Sequence, residues 1–253
     1  MTARPTNAHA FEMSAHRAHA CDWIFFDCFN TLIDDFDHSG SELGLGTLPA
    51  EAVTRGLFES EKVFIETYRR YRNDPAQPGV EIHFDERLRR VVLASHRAPE
   101  RAEVHEIVDA FLQIWEVEYL ELIRPTPGVD AMLDYWSSRK PLGVISNFFL
   151  PDYPQRFLER FKLRKHFKFV VDSAALGFRK PDTRIFHRAF ELAGIPHHES
   201  HRVTYVGDRI DLDVVPSQRL GMQTLHFNRS RYRPEVECAP PDVAVIYDWS
   251  EFR

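Results

Sequence analysis

Trp23-Ile24-Phe25-Phe26-Asp27-Cys28-Phe29-Asn30-Thr31-Leu32 is the stretch from which the fold can be read. Four apolar residues in unbroken succession suit a strand buried on both faces, and such strands belong to parallel sheets covered by helices. Asp27 then stands at the carboxyl end of the strand, partly shielded from water. Two further runs have the same form: Leu142-Gly143-Val144-Ile145 before Ser146-Asn147, and Val203-Thr204-Tyr205-Val206 before Gly207-Asp208. In open α/β sheets ligands bind outside the carboxyl ends of the strands, so all three ends are expected to deliver their polar residues to one crevice.

Beyond the second run the chain alternates. Its periodicity predicts helices over 129–139, 152–161, 182–193 and 214–220, interleaved with strands over 142–146, 167–171, 203–206 and 223–226. The stretch between the first and second runs has another texture. Leu57, Phe64, Tyr68 and Tyr71 recur at helical spacing, as do Leu88, Val91 and Val92, and then Phe111, Ile114, Trp115, Tyr119 and Leu122. The proline-rich return Arg124-Pro125-Thr126-Pro127-Gly128 closes it. We expect a helical insertion over 45–124 whose aromatic stripes form its own core, a parent domain over 21–44 and 125–253, and a poorly ordered tail over 1–20. His9, His16 and His19 are read as scattered residues of that tail.

With 253 residues, 43% hydrophobic and 28% charged, the chain is expected to form one large domain or a domain with an insertion, and disordered or fibrous classes are excluded. A net charge of −6 provides no cationic field for nucleic acid or an anionic membrane surface, so neither is an expected partner. The first twenty residues lack an apolar leader segment, and nothing later approaches the about eighteen apolar residues of a membrane span. Cys21, Cys28 and Cys238 have neither the spacing of a zinc site nor that of a disulfide framework, which fits a reducing cytoplasm. Arg229, Arg231 and Arg233 read as a solvated basic run.

Chemistry gathers at the strand ends. A shielded carboxylate such as Asp27 serves as a nucleophile or a metal ligand. Ser146, Asn147 and the Lys180 of Lys180-Pro181-Asp182 provide a hydroxyl, an amide and an ammonium that together suit an anionic group. Asp208, Asp211 and Asp213 add carboxylates that would repel Asp27 without a cation between them, and hard oxygen ligands suit Mg²⁺. Asp211 is read as a helix-start carboxylate.

The order and spacing of these groups resemble the haloacid dehalogenase-like hydrolase superfamily, in its branch with a helical cap after the first strand. The matching motifs are Asp27 to Leu32, Ile145-Ser146-Asn147, Arg179-Lys180-Pro181-Asp182, and Val206-Gly207-Asp208 through Asp213. The resemblance implies a Rossmann-like core and a small-molecule substrate. It makes Asp27 the attacking group, with a covalent aspartyl intermediate. It gives Ser146 a hydrogen bond to the transferring group, and Lys180 the balancing of its charge. Asp27, Asp208 and the Phe29 carbonyl would hold Mg²⁺, with Asp213 at or just outside the metal shell, and Asn147 and Thr31 would line the substrate site.

One place departs from the pattern. Phosphatases of this family carry a second Asp two positions after the nucleophile, which protonates the leaving oxygen and then activates water; here that position is Phe29. The acidic stretch Asp34-Asp35-Phe36-Asp37-His38-Ser39-Gly40 contains nearby acids but reads first as a solvated turn. The family's dehalogenases have an aromatic residue at this position and need no metal, whereas Asp208 speaks for Mg²⁺ and phosphoryl chemistry. Mg²⁺-dependent phosphoryl transfer from a small metabolite is therefore the leading expectation. A 2-haloacid dehalogenase and a weakly catalytic binding or regulatory protein are the alternatives. Lys62, the only lysine of the insertion, is expected to be solvated.

Overall fold

The structure is a computed structural model of the 253-residue chain and describes residues 20–35, 44–72, 79–97, 99–229 and 239–253. Its first half runs β1 (Trp23–Phe26), β2 (Ile33–Asp34), α1 (Leu48–Thr54), α2 (Glu61–Arg72), α3 (Phe84–Leu93), α4 (Arg101–Leu122) and β3 (Arg124–Pro125). The second half runs α5 (Val129–Ser137), β4 (Leu142–Ser146), α6 (Tyr153–Arg160), β5 (Phe167–Asp172), α7 (Ser173–Leu176), α8 (Thr183–Ala193), β6 (Val203–Gly207), α9 (Val215–Arg219), β7 (Gln223–Phe227) and β8 (Ala244–Ile246).

Six strands form one parallel sheet in the order β5-β4-β1-β6-β7-β8, a Rossmann-like α/β core. β1 lies inside the sheet between β4 and β6, which is why its sequence is apolar on both faces. Ile24 and Phe26 point to one side, into an apolar cluster that continues through Phe29 to Phe64, Phe84 and Trp115 of the helical region. Phe25 points to the other, among Ile145, Phe169, Phe186 and Phe190. The aromatic residues of the helical region thus share a core with one face of the sheet.

The alternating half follows its expected order. Asp182 caps α8 by accepting from the Arg184 amide, and Gly194 ends it in the left-handed region at φ 67°. The helix expected over 214–220 begins one residue later, because Ile210–Val214 forms a π-type turn and Pro216 sits in the first turn of α9. β8 and the β2–β3 pair lie outside the sequence expectations, being too short to show a period.

Among the described residues, two strand-like pairings tie helices α1–α4 to the rest of the chain. β2 and β3 pair antiparallel, Ile33 with Pro125 and Asp34 with Arg124, so the way in and the way out are zipped together. On the other side Val80 bridges to Phe178; the Glu81 amide donates to the Gly177 carbonyl at 3.1 Å, and the Arg179 amide to the Gly79 carbonyl at 2.9 Å. Among the described residues no helix is long and apolar enough to cross a membrane.

Candidate active site

Parallel pairing sets three strand ends side by side. Phe26 pairs with Val144 on one side and Val206 on the other, so Asp27 emerges between the ends that carry Ser146 and Asp208. The Asp27 amide donates to the Val206 carbonyl at 2.8 Å. Lys180 arrives from the loop between α7 and α8, and Asn147 clamps that loop in both directions. Its Nδ2 donates to the Lys180 carbonyl at 2.9 Å, while its Oδ1 accepts from the Lys180 amide at 2.7 Å.

Lys180 Nζ is the hub. It donates to Asp27 Oδ1 at 2.5 Å, to Asp213 Oδ1 at 2.6 Å and to the Tyr205 hydroxyl at 3.1 Å. Tyr205 donates in turn to Asp213 Oδ1 at 2.9 Å, and the Arg209 amide donates to Asp213 Oδ2 at 3.0 Å. Thr31 Oγ1 donates to the other oxygen of Asp27, Oδ2, at 3.1 Å. Asp213 lies so close over the end of β6 that a Cβ at Gly207 would stand 2.5 Å from its carboxyl carbon, which accounts for the glycine there. His226 Nε2 donates to the Asp208 carbonyl at 3.0 Å and ties the loop after β6 to β7. Burial lowers the His226 ring's pKa, against the pull of the Asp208 carbonyl and the Asp213 charge.

Asp27, Asp208 and Asp213 are all buried, with one carboxylate oxygen from each inside a 4.8 Å group. Burial pushes the Asp27 carboxyl up to about 6; Lys180 pulls against that rise and Asp213 adds to it. Burial works against the Lys180 ammonium as well, but Asp213 and Asp27 more than offset it and its pKa is raised. Three clustered carboxylates with one ammonium among them, bonded to Asp27 and Asp213, leave two negative charges, and a divalent cation with oxygen ligands fits that donor set and that charge. Ser146 Oγ is fully buried and has no hydrogen-bond partner of normal geometry, although the Cys28 thiol is close enough to feel it electrostatically.

Past Phe29 the crevice opens into a cavity of about 120 Å³ between the sheet end and the helices. Its aromatic wall is Phe29, Phe148, Phe149, Tyr68 and Tyr119; Phe29 stacks on Phe148 at 4.6 Å and Phe148 on Phe149 at 4.4 Å. Its charged rim is Arg72, Arg87, Arg179, Glu81 and Asp35. Glu81 is buried: Oε1 accepts from Arg87 at 2.6 Å and stands 3.6 Å from Arg179, and Oε2 accepts from Ser173 at 2.7 Å. Arg87 reaches the Ile82 carbonyl at 2.7 Å and the Tyr68 hydroxyl at 3.4 Å.

The sequence-predicted residues Asp27, Lys180, Asp208 and Asp213 thus meet in one cluster, with Ser146 and Thr31 beside it. Asn147 lines the cavity while gripping the Lys180 loop, and Thr31 is fully buried against Asp27. Asp211 stands apart, paired with Arg209 at 2.9 Å and half-exposed. Of the acidic stretch, Asp34 is buried against Arg229, whose basic run was read as solvated, and Asp35 lines the cavity. Asp37, His38, Arg231, Arg233, Cys238 and the expected tail through residue 19 lie outside the described residues. Tyr205, Glu81, Arg87 and Arg179 were not among the expected site residues. Alternation along β6 could have singled out Tyr205, three residues before Asp208, but no local signal joins Glu81 to Arg179.

The family model of haloacid dehalogenase-like hydrolases matches residues 54–227, and the chain belongs to that family. Among its relatives, the pyrimidine 5'-nucleotidase YjjG of Escherichia coli (strain K12) is 34% identical over 125 residues, 49% of this chain and 54% of that protein. The glyceraldehyde 3-phosphate phosphatase of Methanothermobacter thermautotrophicus is 31% identical over 136 residues, 52% and 58% of the two chains. The matches span little more than half the length of these relatives. Among solved structures, the 2-haloacid dehalogenase from Pseudomonas syringae pv. Tomato DC3000 superposes with a TM-score of 0.69 at 21% identity, covering 91% of this chain and 96% of that one. A HAD phosphatase from Thermococcus onnurineus superposes with a TM-score of 0.60 at 17% identity, covering 92% and 96%. These two likenesses are of fold.

Proposed function

We propose that the protein is a Mg²⁺-dependent phosphohydrolase of small phosphorylated metabolites, working through an aspartyl intermediate on Asp27, with α1–α4 as a cap over the substrate. The observation that carries this reading is the group of three buried carboxylates beyond the ends of β1 and β6, two of them paired with Lys180. Asp27, Asp208 and the Phe29 carbonyl would hold the cation. Asp213, whose oxygens already accept from Lys180, Tyr205 and the Arg209 amide, stands beside them. The cation supplies charge balance for the transferring group.

The chain's own groups do the rest. Thr31 and Lys180 each hold one oxygen of Asp27 and so aim the carboxylate. Lys180 offsets the negative charge that gathers as the bond to phosphorus forms. The buried Ser146 hydroxyl, beside the Cys28 thiol, is a donor suited to a phosphoryl oxygen, and the guanidinium-rich rim supports an anionic substrate. The nucleotidase and phosphatase relatives point to the same substrate class.

The test is turnover of an aryl phosphate by purified protein with and without Mg²⁺, with Asp27→Asn as the blank. Phosphate release that needs both Mg²⁺ and Asp27 is expected. Phe29 favours a second reading, a 2-haloacid dehalogenase, since halide leaves without a proton. Metal-independent chloride release from a 2-chloro acid, with no phosphate release, would replace the first reading by this one. Silence on both substrates would leave a binding or regulatory role.

A further inference from the structure

Phe29 leaves the site without a carboxylate two positions after Asp27, and its ring is held by Phe148 at 4.6 Å and Phe157 at 6.1 Å. A group that moves protons must come from elsewhere on the cavity wall. Glu81 is committed through both oxygens, to Arg87 and to Ser173. The Tyr68 hydroxyl faces the Arg87 guanidinium at 3.4 Å, and the three arginines keep their protons. Asp35 is different. It stands one residue past β2, half-buried, and lines the same cavity as Phe29 and Asn147.

The local fold explains how it gets there. Asn30 takes the left-handed region at φ 60°, its amide donates to the Ile33 carbonyl at 2.6 Å, and the Leu32 and Ile33 amides both donate to the Cys28 carbonyl. The chain therefore doubles back over the nucleophile turn. Neighbouring residues of an extended chain point to opposite sides. Asp34 goes to Arg229 and Asp35 to the cavity. The Tyr119 hydroxyl of α4 then donates to Asp35 Oδ2 at 3.0 Å, and the Tyr119 ring lies 5.7 Å from Phe148, the ring that stacks on Phe29.

We propose that Asp35 is the acid–base group of this site, taking over in the cavity the proton transfers for which Phe29 has no atoms. The proposal rests on the phosphoryl-transfer reading above. In the first step an Asp27 oxygen bonds to phosphorus, the bond from phosphorus to the leaving oxygen breaks, and protonated Asp35 gives its proton to that oxygen, releasing an alcohol. In the second step water attacks phosphorus and gives a proton to the Asp35 carboxylate. The Asp27 oxygen leaves as a carboxylate, inorganic phosphate departs, and Asp35 is again protonated.

The experiment compares two probes of nearly equal size, 4-nitrophenyl phosphate, whose leaving group needs little protonation, and phenyl phosphate, whose leaving group needs more. Asp35→Asn keeps an oxygen for Tyr119 but loses the exchangeable proton. It should lower kcat/KM on phenyl phosphate by about 100-fold or more and on 4-nitrophenyl phosphate by far less. It should also show a burst of one equivalent of 4-nitrophenolate, because water then lacks its base. Asp35→Glu should recover part of the loss. Tyr119→Phe, which cuts the tie to α4 and leaves the carboxylate, should cost only a few-fold on both probes. Equal losses on the two probes, no burst, and an Asp35→Asn effect no larger than that of Tyr119→Phe would overturn the proposal and make Asp35 a strut between α4 and the core. Wild-type protein that matches Asp27→Asn on both probes with Mg²⁺ present would overturn the phosphoryl-transfer reading itself, and this proposal with it.

Discussion

The two sides of Phe29 are charged in opposite senses. At the strand ends three buried carboxylates, Asp27, Asp208 and Asp213, gather with one ammonium, Lys180, which pairs with Asp27 and Asp213; at the cavity rim Arg87 and Arg179 flank the carboxylate of Glu81, with Arg72 lining the same cavity. Burial raises Asp27 to about 6, with the Asp213 charge adding to the rise and Lys180 opposing it. The excess at the rim acts on Arg179, whose pKa burial lowers and the neighbouring Arg87 and Arg72 lower further, against the pull of Glu81. The first cluster is built around Asp27, the proposed nucleophile. The second joins α3 to the loop before Lys180 and carries the packing of the helices onto the sheet. Removing a charge should therefore act on turnover in one and on stability in the other.

The largest expected effect is that of Asp27→Asn, which should reduce turnover at least about 10⁴-fold, or about 5 kcal/mol of barrier. The variant relieves repulsion among buried carboxylates, so its urea midpoint should equal or exceed that of the wild type. A lowered midpoint would erase the contrast between the clusters. Glu81→Ala comes next: it strands Arg87 without its carboxylate in a fully buried place and should destabilise the protein by about 3–5 kcal/mol in urea unfolding. A loss under about 1 kcal/mol would mean that Arg87 finds another partner there.

Asp172 sharpens the comparison, being a buried carboxylate whose hydrogen bonds come from the Ala174 and Asp152 amides at 2.9 and 2.6 Å. Burial raises it to about 6, with the two amides pulling it down and the charges of Asp152 and Glu81 pushing it up. A carboxyl raised in the folded state favours the protonated fold, so its stabilising effect is present at low pH and is lost as the pH climbs from about 4 to 6. The stability of the wild type relative to Asp172→Asn should fall by about 1–3 kcal/mol across that window and stay level above it, as read by urea midpoints at a series of pH values. The smallest effect belongs to Lys62, whose side chain is 82% exposed and sits 3.9 Å from Glu66. Lys62→Ala should leave turnover unchanged and shift stability by less than about 0.5 kcal/mol.

The strand-end cluster could be read from sequence because each of its pieces is local: an apolar run, then a polar residue, repeated at Asp27, Ser146 and Asp208. Parallel pairing does the rest, since strands in register put their ends level. The rim could not be read so. Glu81, Arg87 and Arg179 come together through the Val80–Phe178 bridge, a contact between segments far apart in the chain. Arg87 itself sits in a polar stretch of α3 that reads as solvent-facing, yet it is buried. Thr31 was taken for a substrate contact from its place in the motif; its hydroxyl lies on Asp27, a distinction that only side-chain rotamers decide. Asp34 and Asp35 look alike in an acidic stretch. The pleat sends one to Arg229 and the other to the cavity.

The bridge at Val80 has a kinetic side. Lys180 follows directly on Arg179, whose amide is bonded to Gly79 at the approach to α3, and the Glu81 amide is bonded to Gly177. A swing of the helices about the β2–β3 pair must therefore sever these main-chain bonds, together with that of the Phe84 amide to the Phe149 carbonyl, or drag the Lys180 loop out of register with Asp27. The approach to α3 and the Lys180 loop form one linkage. If α1–α4 close over the cavity as proposed, product escape is expected to follow the unzipping of this short seam, which amide exchange at Glu81 and Arg179 would report.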